Sequence, residues 1–108
     1  MSTPLVARLR AQCGGPRDGA LLRYALGNAL HDAGELVAGI DELRHAIVFD
    51  PQYSAAWKAL GKVCLAAGQR DEAGAAWRQG IVAARTRGDR QAEKEMQVFL
   101  RRLEKASP

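Results

Sequence analysis

No run of this sequence approaches the roughly 18–20 consecutive apolar residues that a membrane-spanning helix needs, so no membrane partner is expected. A secretory apolar segment is missing near the start as well, because Arg8 and Arg10 interrupt the one candidate. A cytoplasmic location is therefore the expectation. Cysteine is scarce: Cys13 and Cys64 stand far apart, without C-x-x-C spacing, and read as free thiols rather than a disulfide. Of the 4 prolines, Pro4, Pro16 and Pro51 fall where helices would begin or be joined. Glycines are present, but no G-x-G-x-x-G or phosphate-loop pattern follows a strand, and no strand pattern is evident. His31 and His45 are the only histidines. Asp41 precedes His45 by one helical turn, yet a lone pair does not make a metal site. Ser2, Ser54 and Ser107 lie near a terminus or a helix start, so no nucleophile, base and acid come together. These absences predict a chain without cofactor or metal, and not an enzyme.

What is present is alanine and leucine at helical spacing. A chain of 108 residues that is 47% apolar and only 6% aromatic suits one small all-α domain. Residues 57–77 repeat, in skeleton, 34 positions earlier. Leu60 falls on Leu26, Gly61 on Gly27, Ala67 on Ala33, Gly68 on Gly34, Trp77 on Leu43 and Ile81 on Ile47. A self-match at such a period marks a helix-turn-helix array. The spacing predicts helices over 4–13, 19–33, 35–49, 54–67, 70–86 and 89–105. Thr3-Pro4 reads as cap and first helical residue, Asp18 as the cap of the second helix, and Gly34 as its left-handed stop. Asp50-Pro51 ends the third, since proline disfavours a helical residue before it. Gly27 and Gly61, each in mid-helix, cost about 1 kcal/mol against alanine; close approach of a neighbouring helix would offset that.

The residues W-x-x-L-G at Trp57–Gly61, followed by small Ala73 and bulky Trp77, resemble the tetratricopeptide repeat. The resemblance covers about 20–87 and implies a right-handed α-solenoid: repeat one over 20–53, repeat two over 54–87, an N-terminal helix over 4–13 and a capping helix over 89–105. Leu26, Gly27, Leu43, Trp57, Leu60, Gly61, Ala73 and Trp77 would form the repeat core. Truncating Trp57 or Trp77 to alanine should then cost about 3–5 kcal/mol. A third copy of the motif is missing, with Lys94-Glu95 where Leu-Gly would stand. A terminal helix needs only one apolar face, and Ala92, Met96, Phe99 and Leu103 supply it.

The family resemblance also implies a concave groove, lined by the first helix of each repeat, that holds an extended peptide or a partner's helix. On this chain those positions are Tyr24, Asn28, His31, Lys58, Lys62 and Leu65. Lys58 and Lys62 leave one helix face together, and Asn28 can both donate to and accept from a peptide backbone. The expected function is a non-catalytic adaptor for a protein or peptide, acidic in character. Charge agrees: residues 1–53 hold 5 basic and 6 acidic groups, and residues 54–108 hold 11 and 6. One subfamily clamps a C-terminal dicarboxylate; Asn28 matches it, but Tyr24, Ala59, Asp89 and Glu93 stand where it would want Lys, Asn, Lys and Arg. The rival reading is nucleic-acid binding by Arg90, Lys94, Arg101, Arg102 and Lys105, against which interleaved glutamates and the want of exposed stacking aromatics weigh. Self-association through the ends or groove of so short an array is open too.

Overall fold

The computed structural model describes residues 3–106, and every regular element among them is an α-helix. They run in the order α1 (Pro4–Ala11), α2 (Ala20–Asp32), α3 (Leu36–Phe49), α4 (Ser54–Ala66), α5 (Arg70–Arg87) and α6 (Arg90–Lys105). Ser2 and Ser107 lie outside the described residues. Helix α2 pairs with α3, α4 with α5, and α6 packs on α5 and α4. The chain is an all-α, right-handed solenoid of two helical hairpins flanked by one helix at each end.

Local chemistry sets the boundaries. Thr3 caps α1 by accepting the Val6 amide at 3.1 Å, with Pro4 at the first turn. That helix is shorter than the spacing predicted, because Gln12 already caps it before Gly14 turns to φ +81°. Asp18 does not cap α2. Gly19 takes that place without a side-chain bond. The Asp18 carboxylate instead accepts the Gly14 amide at 2.8 Å and the Gly19 amide at 2.9 Å, so it ties the connecting loop. Gly34, Gly68 and Gly88 each adopt φ +79°, as expected for Gly34. The amides of Glu35, Gln69 and Asp89 then reach the carbonyls of Leu30, Cys64 and Ala84 at 2.9, 2.8 and 2.8 Å. Three helix ends are thus closed by one device, which satisfies carbonyls the helix itself leaves open.

The hairpins are held by close helix crossings. A methyl on Gly27 would stand 2.6 Å from Cγ of Leu43, and one on Gly39 would stand 3.2 Å from the Gly27 carbonyl oxygen. At Gly61 the space is filled by the indole of Trp77, whose Nε1–H donates to the Lys58 carbonyl at 3.2 Å. Leu26, Leu43, Leu60, Ala73 and Trp77 are all buried. Trp57 is only half-buried: its Nε1–H donates to the Pro51 carbonyl at 2.8 Å and its Cβ fills the space beside Gly80. The 3–5 kcal/mol expected for its truncation is accordingly too high, because the cavity term requires full enclosure.

At the N-terminal end, Val6 of α1 is fully buried against Leu26, Ala29 and Leu30. At the other end α6 behaves as a further first helix of a repeat, but in a shifted register. Helix α5 has 18 residues where α3 has 14, and two residues join it to α6 where four join α3 to α4. The position of Leu60 is therefore repeated 36 residues on, at the fully buried Met96, and that of Ala56 at the buried Ala92. Comparing at 34 residues sets Lys94-Glu95 against Leu60-Gly61; the longer α5 moves the match to Met96-Gln97. Phe99 and Leu103 are half-buried on the same side.

Candidate protein-binding face

Helix α4 touches both α2 and α6, so the three lie in a row. The six groove positions read from the sequence fall on α2 and α4 of that row, in different circumstances. Asn28 and His31 are half-buried on α2. Tyr24 is half-buried too, its ring tilted 42° against Tyr53 at 5.1 Å between centroids, so much of its surface is spent inside the fold. Lys58 is half-buried and ion-paired: its Nζ stands 3.2 Å from Oε1 of Glu95 on α6. Lys62 is exposed, with its ammonium 5.0 Å from the centre of the Phe99 ring, within the reach of a cation–π contact. Leu65 is 40% exposed, which is high for so large an apolar side chain. The two lysines share a helix face but not a role. Lys58 is neutralised by α6, and Lys62 keeps its field.

Beyond Lys62 the row opens into a cavity of about 330 Å³, whose walls are Leu65, Phe99 and Leu103 over the buried indole of Trp77. Lys62, Arg70 and Arg102 line it, and no acidic side chain does. Arg70 donates through Nη2 to the Leu103 carbonyl at 3.0 Å, which fixes that cation to α6. Trp77 and Phe99 meet at 5.4 Å with a 48° tilt, so the floor is one aromatic pair. Arg70, Phe99, Arg102 and Leu103 are absent from the groove residues read by repeat position. Their signal is the spacing Phe99, Arg102, Leu103, which sets a ring, a cation and an aliphatic chain on neighbouring turns of α6.

A second polar cluster sits at the other end. The Arg23 guanidinium binds Asp18 through Nε and Nη2 at 2.8 and 2.9 Å and Glu42 through Nη1 at 2.9 Å. Hydrogen bonds from that guanidinium and from the Gly14 amide hold the Asp18 carboxyl far below the usual carboxylate range. Glu42 also takes Nδ1 of His45 at 2.9 Å; the carboxylate facing His45 is thus three residues back, not Asp41. This cluster fastens the α1–α2 loop to α3. Burial pushes the Cys64 thiol up in pKa, as expected of a cysteine that serves packing. No group of three or more His, Cys, Asp or Glu residues is placed to hold a metal ion among the described residues.

No helix among the described residues is long and apolar enough to cross a membrane. No family model matches the chain. A TPR repeat-containing protein of Pseudomonas aeruginosa is 51% identical over 89 residues, which cover 82% of this chain and 85% of that one. The solution structure of a protein from Bordetella parapertussis superposes with a TM-score of 0.80 at 44% identity, over 97% of this chain and 90% of that one. That of a tetratricopeptide repeat domain protein from Salinibacter ruber gives 0.78 at 25% identity, over 85% and 92%. Tetratricopeptide repeats are generally protein–protein interaction modules. On the strength of its two glycine-centred hairpins and of a relative 51% identical over 82% of its length, the chain belongs to the tetratricopeptide repeat family.

Proposed function

We propose that this protein is a non-catalytic adaptor that binds a segment of a partner protein along the row formed by α2, α4 and α6. The observation that carries the reading is what that row leaves at its surface. Asn28, His31, Lys62 and Leu65 are partly or fully accessible on consecutive first helices, where amide, imidazole, ammonium and aliphatic groups alternate. Such a mixture suits an extended peptide, whose backbone needs hydrogen-bond partners and whose side chains need both apolar and charged contacts. The preferred partner is acidic, because Lys62, Arg70 and Arg102 line one end of this row with no acidic side chain among them. Binding takes place in the cytoplasm on this proposal, and the chain is read as one domain.

The test is a photo-crosslinking amino acid placed at Asn28 in one variant and at the exposed Val82 of α5 in another, in cells of the source organism. Adducts with a defined partner from position 28 but not from position 82 are expected. Equal adducts from both positions, or adducts from position 82 alone, would place binding elsewhere. Retention on DNA that disappears at high salt, with no protein adduct, would favour the nucleic-acid reading instead.

A further inference from the structure

We infer that the cavity between α4, α5 and α6 is an anchor pocket for one bulky apolar side chain of an acidic peptide, with Lys62 and Arg102 receiving the carboxylates that flank it. The inference deepens the adaptor reading and rests on it. Three properties of the site carry it. The first is size: about 330 Å³ is at the bottom of the roughly 300–1,000 Å³ range of small-molecule sites, room for a side chain or two and not for a helix. The second is the floor, where Phe99 and Leu103, backed by the buried indole of Trp77, present apolar surface at a site the repeat core does not need open. Leu65, 40% exposed at the rim, extends that surface towards the middle of the row.

The third property is charge. Every ionisable group lining the cavity is a cation; Asp71 and Glu104 stand beside Arg70 in a neighbouring cavity, and two further glutamates of α6 are turned to other partners. Glu95 holds Lys58, and Glu93 holds Arg85 at 2.6 Å. A positive rim around a low-dielectric floor concentrates its field inward. An apolar chain alone would gain the floor but leave the rim without a counter-charge; an acidic group alone would gain the rim but bury nothing. A phenylalanine or leucine beside aspartate or glutamate satisfies both. An anchor of this kind, one buried side chain ringed by polar contacts, is where binding energy concentrates.

The probe is a displayed library of random heptapeptides, selected on the full chain and on the exposed-site variants Arg102→Glu and Lys62→Glu, followed by NMR titration with the enriched peptide. Enrichment of aromatic or leucine residues next to Asp or Glu is expected. Either substitution should weaken binding about tenfold, and replacing the anchor residue by alanine should do the same. The Trp77 indole N–H signal should move while that of Trp57 stays. A selection that yields no sequence, or sequences without acidic residues, overturns the inference, as does binding indifferent to both charge reversals. Shifts at Asn28 and His31 with none at Trp77 or Phe99 would overturn the pocket and leave the adaptor row standing. Shifts at neither set would overturn both. A dimer in sedimentation that Arg102→Glu disperses would give the pocket to a second copy of this chain, and so also overturn it.

Discussion

The two hairpins solve one crossing in two ways. In the first, Gly27 faces Gly39 and the fully buried Leu43, so two backbones and a flexible aliphatic chain meet. In the second, the counterpart of Gly39 is Ala73 and that of Leu43 is Trp77, so a rigid indole lies on Gly61 and hydrogen-bonds across the gap to Lys58. The first crossing is tighter in backbone; the second is more specific in side chain. The consequence is an asymmetric core. The larger apolar cluster spans α3 to α6, while Leu26, Ala29 and Leu30 form a smaller one with α1. The second hairpin is also the one whose floor reaches the cavity, so stability and binding meet there.

The largest expected effect is Trp77→Ala, at about 3–5 kcal/mol, with a lost hydrogen bond besides. A circular-dichroism melt should fall by more than ~12 °C on the usual conversion of ~4–8 °C per kcal/mol for small domains. Leu43→Ala, within the ~2–5 kcal/mol range of buried leucines, should fall less, because it removes a smaller side chain from the same cluster and no hydrogen bond goes with it. Equal shifts would erase the distinction between the hairpins. Trp57→Ala, at a side chain only partly buried, should cost less than either.

Next come the glycines. Overpacking typically costs about 1–3 kcal/mol, and the better helix propensity of alanine returns about 1 kcal/mol. Gly61→Ala must displace a rigid indole, whereas Gly27→Ala meets a leucine that can rotate. Gly61→Ala should therefore melt several degrees below Gly27→Ala. The reverse order would show that the glycine–glycine backbone contact, and not the indole, is the tighter fit.

The smallest effects concern two carboxylates at opposite ends. Asp89 caps α6 by accepting the Ala92 amide at 3.1 Å, and it also accepts the hydroxyl of the buried Ser54 at 2.7 Å. Those two bonds lower its pKa from the ordinary value of 3.8, and Arg23 lowers that of Asp18 further. A depressed carboxyl contributes stability that is whole above the unfolded-state pKa and is lost as pH falls through the folded one. Stability should hold from neutral pH down to about 4 and decline below. Asp89→Asn and Asp18→Asn should each flatten that decline, read from urea midpoints against pH. Loss of the Asp89 cap itself should cost about 0.5–2 kcal/mol. A decline unchanged in both variants would remove these residues from the acid response.

Much of the fold was legible because helical spacing and glycine position act locally. Leu60-Gly61 and Leu26-Gly27 named the crossings, and Gly34 named its own left-handed turn. Two features were hidden for physical reasons. Gly39 carries no side chain to join an apolar stripe, so its facing of Gly27 appears only once α2 and α3 are paired. The shifted register of α6 depends on where α5 stops, and a difference of a few residues in helix length leaves no motif behind. The site was less legible still. Lys58 and Lys62 were readable as one helix face, but the fate of each is decided by Glu95 and Phe99, which reach them from another helix. Asp18 looked like a cap because it precedes a helix, and only the fold brings Arg23 and two loop amides around it.

The three closures at Gly34, Gly68 and Gly88 share one backbone angle, while the outward side of α6 is charged along its length. Growth of such a molecule is for that reason a matter of splicing and not of appending. A further 34-residue unit set before α6 would meet a joint of familiar geometry and find its own terminal cover already made. The same unit added after Lys105 would meet that charged side in place of an apolar one.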